Sequence, residues 1–418
     1  MEKMKIVLVN YRYFISGGPE RYYFNIKEIL ERNGHEVIPF SIKSSRNLPH
    51  DYDQYFLDIV DDEVYFAQAK KSLKVVLKSF SRMFYSFEAK RKFELLLKAV
   101  QPDLVYIMQY HNKISPSIID AARNLHIPVI HRISDFQYMC PNALFYNDAK
   151  GVCEDCLKGK RWSCVKYKCV LNSTIYSGIK MAAKWLHDAM KVTKKIDAFV
   201  VPSSFTLKKL NEYGIPMNKL YHIPTFFNLK DTNPAVKYEP SVLFVGRIEK
   251  QKGLMTLVKT FEGTDYNLKI IGFSNDGYED ELKAYLNGKQ HHIEFLGRKT
   301  FDEIVPYLKS CLCTVVPSEW YDNFPNVILE SFAYKKAVIA TDFGSLPELV
   351  KNNVTGLTFS YADIADFRKK VGYMFNHPDV AKQMGEAGFK DIVTVYSPQQ
   401  HYEQLMALFD KVTNQIRK

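Results

Sequence analysis

Short apolar runs alternate with longer amphipathic segments along most of this chain, the pattern of a parallel sheet assembled from βαβ units. In the first half, residues 6–9, 36–40, 104–108, 129–133 and 198–201 predict strands. Amphipathic spacing predicts helices over 20–33, 70–99, 115–125 and 203–213. A second series of strands is expected at 242–245, 268–271, 294–296, 313–316 and 337–340. Helices at 254–261, 278–287, 301–310 and 326–335 would separate them. Residues 228–240 are largely polar and hold Pro234 and Pro240, as an interdomain linker would. The last stretch, 397–417, reads as one amphipathic helix with Ser397 as its cap and Pro398 at its first position.

The expected architecture is therefore α/β: two Rossmann-like parallel-sheet domains facing a central cleft. Their expected bounds are 1–230, with a Cys-rich insert at 140–170, and 231–396, followed by a C-terminal helix over 397–418. At 418 residues, 46% hydrophobic and 25% charged, the chain is globular and long enough for two cores. No apolar run approaches the roughly 18 residues of a membrane span. The run 6–9 is too short for a signal peptide, so a cytoplasmic location is expected.

The net charge of +11 suits nucleic acid, an anionic membrane or a polyphosphate ligand. No nucleic-acid-binding signature is present, so no nucleic-acid partner is expected. The excess is concentrated in 70–98, where Lys70, Lys71, Lys74, Lys78, Arg82, Lys90, Arg91, Lys92 and Lys98 face only Glu88 and Glu94. Leu77, Phe80, Phe84 and Phe87 are interleaved. Two readings stand: a helix lying on the anionic inner face of a membrane, or a core-packing helix with a solvated basic side.

Asp322 and Glu330 stand eight positions apart, with Asn323, Phe324 and Pro325 between them at the mouth of a helix. That separation, about 12 Å along a helix, allows two ends of one extended ligand to be held. Ordinary dipole chemistry also places acids near a helix start. The string Gly246-Arg247-Ile248-Glu249-Lys250-Gln251-Lys252-Gly253 leaves the first strand of the second series. Such loops bind ligands in open α/β sheets, and Arg247 and Lys252 supply a phosphate fork and a mobile point charge. Gly17-Gly18-Pro19-Glu20-Arg21 similarly follows the first strand and opens a helix. His111 and His131 lie at or near predicted strand ends. Cys153, Cys156, Cys164 and Cys169 cluster in the insert, where reduced thiolates suit a structural zinc or remain ordinary free cysteines.

Pro317-Ser318, the acid at 322, Asn-Phe-Pro, Glu330, Ser-Phe-Ala, a strand and Gly-x-x-Pro-Glu together resemble the family 4 retaining glycosyltransferases of the GT-B fold. Their Glu-x7-Glu element has Asp322 in place of the first Glu here. The Gly-Arg-x4-Lys-Gly string resembles that family's diphosphate loop. The resemblance implies a nucleotide-diphosphate sugar as donor substrate and catalysis without a metal or other cofactor. It implies a saccharide or lipid-linked glycan as acceptor, in surface polysaccharide or glycan synthesis. Gly246, Arg247 and Lys252 would meet the diphosphate and Glu330 the ribose. Asp322 would face the donor sugar beside the backbone of Asn323 and Phe324, with Gly17 and Gly18 bordering the phosphates. Relatives carry His-Asp before an aromatic and Cys-Pro-Asn; Ser134 holds the His position here, and Asp135 matches. Relatives with that Cys-Pro-Asn element often carry a cysteine cluster like the one in the insert. A GT-B sugar-nucleotide epimerase and a catalytically lapsed GT-B scaffold are the alternatives. Neither domain carries Gly-x-Gly-x-x-Gly at a strand–helix junction, which counts against an oxidoreductase.

Overall fold

A computed structural model describes residues 3–59, 73–229 and 236–417. Lys70, Lys71 and Pro234, singled out above, lie outside them. The chain divides into two compact units. Residues up to Leu144, Glu154–Pro224 and those from His401 onward form the first; Phe145–Cys153 and Thr225–Gln400 form the second. The Cys-rich insert, expected wholly in the first domain, thus contributes Phe145–Cys153 to the second.

Strands β1 (Lys5–Val9), β2 (Glu36–Phe40), β3 (Leu104–Ile107) and β4 (Val129–Arg132) open the first unit. A two-strand hairpin of β5 (Tyr146–Asn147) and β6 (Gly151–Val152) follows, then β7 (Ala198–Val201) and β8 (Leu220–His222). The first sheet is six-stranded and parallel in the order β2-β1-β3-β4-β7-β8. Its central strands β3, β4 and β7 are buried throughout, which is why β3 and β7 read as unbroken apolar runs without alternation. The helix Gly18–Arg32 covers it with Tyr22, Tyr23, Ile26, Ile29 and Leu30.

The final helix, Pro398–Arg417, starts as expected, with Ser397 Oγ accepting from the Gln400 N–H at 3.2 Å. Its residues from His401 on belong to the first unit. His401 Nε2 meets Tyr22 Oη at 3.0 Å, and its Nδ1 meets the Pro224 carbonyl at 2.7 Å. Phe409 packs edge-on to Tyr106.

The predicted single basic helix is two: Leu73–Phe84 and Phe87–Val100. Ser86 breaks them and caps the second, accepting from the Ala89 N–H at 3.2 Å. Arg82 does not join a solvated basic face. It is 2% exposed, donates to the Asp58 carbonyl at 2.5 Å and lies 3.7 Å from Glu88. Leu77 and Phe87 are exposed.

The second unit holds β9 (Ser241–Val245), β10 (Asn267–Ile271), β11 (His292–Phe295), β12 (Cys313–Val316), β13 (Ala337–Thr341) and β14 (Gly356–Phe359). Their order, β11-β10-β9-β12-β13-β14, is the doubly wound arrangement that reverses direction between β9 and β12. Helix Asn326–Ala333 ends two residues sooner than expected, because Lys335 adopts a left-handed φ of 56°. Gly385 and Gly388 let helix Pro378–Thr394 press against it; a Cβ at Gly388 would sit on the Phe332 ring and one at Gly385 on the Lys335 carbonyl. Strands β8 and β14 and the helices Thr174–Ala189, Ile364–Asn376 and Pro378–Thr394 were not expected from the pattern.

Candidate functional site

The strand order reverses between β9 and β12, and open α/β sheets bind ligands at the carboxyl ends of the strands beside such a reversal. Both sequence-predicted loops of the second unit emerge there, one after β9 and one after β12. Gly253 brings them together. Its φ is 71°, and a Cβ would collide with the Pro317 carbonyl oxygen, so only glycine permits the approach. Across it, the Glu319 N–H donates to the Gln251 carbonyl at 2.8 Å, and Thr256 Oγ1 donates to Glu319 Oε1 at 2.5 Å.

This juxtaposition sets Lys252 Nζ 2.7 Å from Asp322 Oδ1. Ser318 Oγ donates to the other carboxylate oxygen, and Ser345 Oγ donates to the Asp322 carbonyl at 2.5 Å. Asp322 is 5% exposed, so it is a buried charge with its oxygens satisfied. Lys252 also lies 5.0 Å from the centre of the Trp320 ring, whose buried Nε1 has no hydrogen-bond partner. Tyr321 stacks on Phe343 at 4.8 Å, and Gly344, with φ 62°, leaves room for the Tyr321 ring.

Arg247 is half-exposed and pairs with Glu249 at 2.6 Å, while Gln251 Nε2 donates to the other Glu249 oxygen at 2.6 Å. Burial raises the Glu249 pKa, against the pull of Arg247 and Lys252. Arg247 therefore already has an internal partner. Glu330 lies in helix Asn326–Ala333 and is 4% exposed. Pro325 is that helix's N-cap rather than its first residue, and Phe324 packs against Tyr396. Asn323 occupies the same loop. The loop chemistry thus gathers Lys252 and Asp322. The contacts by which Ser318, Ser345 and Glu319 hold that pair or its loop were not foreseen, because short hydroxyl side chains and a lone loop carboxylate carry no periodic pattern.

In the first unit, Gly17 is the N-cap and Gly18 the first residue of helix Gly18–Arg32. The following Glu20 turns back onto its own loop, accepting from Ser16 Oγ at 3.0 Å and Arg12 Nη1 at 3.3 Å. Asp135 follows β4, its Oδ1 accepting from the Gln137 N–H at 2.9 Å; burial raises its pKa, opposed by that bond and by Lys180. His131 is buried inside β4 with Nδ1 2.8 Å from Tyr138 Oη, and burial lowers its pKa to about 3. His111 stacks on Tyr110, and burial holds it well below the ordinary histidine range. Lys180 stands out only in the structure: burial pushes its pKa down to about 8, with Asp135 opposing. No sequence pattern marks a lysine that a distant turn will bury.

The expected four-sulfur zinc site is not supported. Cys153 falls in the second unit and Cys156, Cys164 and Cys169 in the first. Among the described residues no group of three or more His, Cys, Asp or Glu converges as a metal needs. Instead the Cys164 and Cys169 thiols hydrogen-bond each other, and Cys156 Sγ points to the Arg161 carbonyl at 3.9 Å.

Comparison with known proteins agrees with this geometry. Residues 226–391 match the family described as glycosyl transferases group 1, and residues 16–231, more than half the chain, match Glycosyltransferase Family 4. An uncharacterized glycosyltransferase of Methanocaldococcus jannaschii is 36% identical over 148 residues, covering 35% of this chain and 41% of its own length. The chain spans 31% to 59% of the length of that relative and three others. A Campylobacter jejuni N,N'-diacetylbacillosaminyl-diphospho-undecaprenol alpha-1,3-N-acetylgalactosaminyltransferase is 22% identical over 93% of this chain and 99% of its own. Among solved structures, sucrose-phosphate synthase of Thermosynechococcus elongatus superposes with a TM-score of 0.69 at 18% identity, covering 98% and 99% of the two chains. An Anabaena protein crystallised with UDP superposes at 0.62 and 15% identity, covering 98% and 100%. The chain belongs to the family 4 glycosyltransferases and has the GT-B fold.

Proposed function

We propose that this protein is a retaining glycosyltransferase that moves a hexosyl group from a nucleotide-diphosphate sugar to a saccharide or lipid-linked glycan. The observation that carries this reading is the Lys252–Asp322 pair, 2.7 Å apart at the reversal of the second sheet. A lysine held beside a buried carboxylate is poised for an incoming diphosphate, whose negative charge grows as the glycosidic bond breaks. Arg247 and Lys252 neutralise that charge without a metal, with Gly246 and Gly253 giving the backbone room. Glu330 takes the ribose hydroxyls, and Asp322, with Asn323 and Phe324, meets the sugar. Gly17, Gly18 and Asp135 serve the first unit's share of the site. Retention fits front-face attack, the leaving phosphate accepting the acceptor's proton.

The Anabaena protein was crystallised with UDP, which supports a uridine nucleotide as first probe. The Campylobacter relative's name specifies a diphospho-undecaprenol-linked sugar, which supports a lipid-linked acceptor in glycan or surface polysaccharide synthesis. Exposed Leu77 and Phe87, at 62% and 77%, beside basic residues, support contact with an anionic inner leaflet through 70–98. No helix among the described residues is long and apolar enough to cross a membrane.

Thermal unfolding in the presence of nucleoside diphosphates and their sugars tests the donor reading. Saturation at about 100 times the dissociation constant stabilises by about 2.7 kcal/mol. A protein stabilised by none of these nucleotides is the lapsed scaffold, not a transferase.

A further inference from the structure

Helix Thr174–Ala189 of the first unit is inside out. A surface helix ordinarily turns its apolar stripe to the core and its charges to water. Here the exposed residues are Thr174, Ile175, Ala182, Trp185 and Ala189, none of them charged. Ile175, Ala182, Trp185 and Ala189 follow one another at seven, three and four residues, so they share one stripe. Lys180, Lys184, His187 and Asp188 are half-buried, on the side of the buried Ser177 and Ala183. Lys184 pairs with Asp188 at 2.9 Å, and Tyr213 Oη donates to the same carboxylate at 2.5 Å. His187 Nε2 meets the Phe84 carbonyl at 3.0 Å.

The Cys-rich insert before the helix adds to this surface. Cys164 Sγ points to the Ser177 carbonyl at 3.8 Å, and the Val170 N–H donates to Ser177 Oγ at 3.0 Å, tying the insert to the first turns of the helix. Trp162 and Leu171 stand 73% and 53% exposed there, against 74% and 58% for Ile175 and Trp185. Single exposed apolar residues are ordinary, but a whole helix face and its adjoining segment exposed together mark an interaction surface.

Its charged surroundings are of one sign. Lys160, Lys166 and Lys168 before the helix and Lys191 after it are exposed, and none is paired with an acid among the described residues. The nearby acids are occupied: Glu154 by Lys158 and Lys209, Asp188 by Arg161 and Lys184. A second copy of this chain would bring lysines against lysines, which like-charge repulsion disfavours. The occupant must be apolar and anionic at once. An anionic lipid leaflet is both, since indole rings settle at the headgroup boundary and lysines meet the lipid phosphates.

We infer that helix Thr174–Ala189 and the insert before it form a membrane-docking surface that seats Trp162, Ile175 and Trp185 in an anionic lipid leaflet. This surface lies outside 70–98 and does not rest on the transferase reading.

Full-length protein mixed with phosphatidylcholine vesicles, with or without phosphatidylglycerol and brominated on their acyl chains, tests it. Of the three tryptophans Trp320 is buried, so quenching of emission reports Trp162 and Trp185. Anionic vesicles should quench and blue-shift the emission, and Trp162→Phe and Trp185→Phe should each remove part of the change. Ile175→Asp should weaken cosedimentation about tenfold or more, the loss of one inserted side chain. Lys168→Gln should weaken it about fivefold. Both positions are exposed, so thermal unfolding of these variants should match the wild type. Vesicle binding that survives Ile175→Asp and Trp185→Asp but is lost in Leu77→Asp and Phe87→Asp belongs to 70–98 alone and overturns the inference. Unquenched emission, equal binding to neutral vesicles, or a lipid-free dimer that Trp185→Asp dissociates would overturn it as well. If no nucleotide stabilises the protein while anionic vesicles still quench it, the donor reading falls and the docking surface stands.

Discussion

The two units hold the charges of their candidate sites in different ways. In the second, Asp322 has Lys252 at 2.7 Å, a hydroxyl from Ser318 and its carbonyl held by Ser345. In the first, Asp135 and Lys180 feel each other through space without forming a pair, and burial moves their pKa values toward the neutral forms. A carboxylate that already has its cation is held in place, whereas Asp135 and Lys180 are only partly buried and keep contact with water. The difference teaches where each unit's specificity comes from. A preorganised group contributes most where charge develops during reaction, since nothing need reorganise at that moment. A charge still in contact with water contributes less, because solvent screens it.

The largest expected effect comes from breaking the satisfied side. Lys252→Ala should lower transfer on the order of 10³-fold, the scale of losing one preorganised donor to a developing charge. It also leaves Asp322 buried without its cation, so the second unit should lose up to about 3 kcal/mol. Turnover with the saturating donor, together with unfolding of the same sample, separates the two losses. Full activity in the variant would remove Lys252 from the chemistry.

Acid should break the comparison from the other side. His131 and His401 both lie in the first unit, and burial lowers each to about 3. The unfolded chain titrates near 6.5, so between about pH 6.5 and 3 it binds protons that the native unit does not. Stability is complete above 6.5 and falls as pH drops through that window. At pH 5 each histidine should cost on the order of 2 kcal/mol. The second unit's His291, His292 and His377 are partly or fully exposed. Hydrogen exchange followed by mass spectrometry at pH 7 and pH 5 should show the first unit opening preferentially. Equal protection loss in both units would contradict this.

Much of this arrangement was legible in the chain, and the parts that were not share a cause. Central strands such as β3 and β7 are buried on both faces, and their apolar runs located them within a residue. Edge strands β8 and β14 are only three and four residues long and carry no such run. Lys252 and Asp322 were readable because the loops leaving β9 and β12 are set by glycines and prolines at fixed offsets. The zinc expectation is not supported, because sequence spacing does not tell whether thiols converge, and among the described residues no group of three or more does. Arg82 failed for a related reason: burial of a lone basic residue depends on what packs over it, here the segment at Asp58.

The smallest effect, and the sharpest test of the comparison, is Asp322→Glu. The family pattern has Glu at this position, so one view expects the longer side chain to restore an ancestral fit and raise activity. The geometry here argues against that. Asp322 is 5% exposed, with one oxygen on Lys252 and the other on Ser318, so an added methylene has no free direction. It must push Lys252 toward the Trp320 ring, whose centre is already 5.0 Å away, or push the loop against the Ser345 contact. Overpacking of this kind costs about 1–3 kcal/mol. A displacement of about 1 Å at a reacting centre costs on the order of 10²-fold in rate. Turnover of Asp322→Glu should therefore fall by about that factor, with the donor dissociation constant less affected. A gain in turnover would show that Lys252 and Ser318 hold the shorter acid only by default, and that the second unit's site is less preorganised than its hydrogen bonds imply.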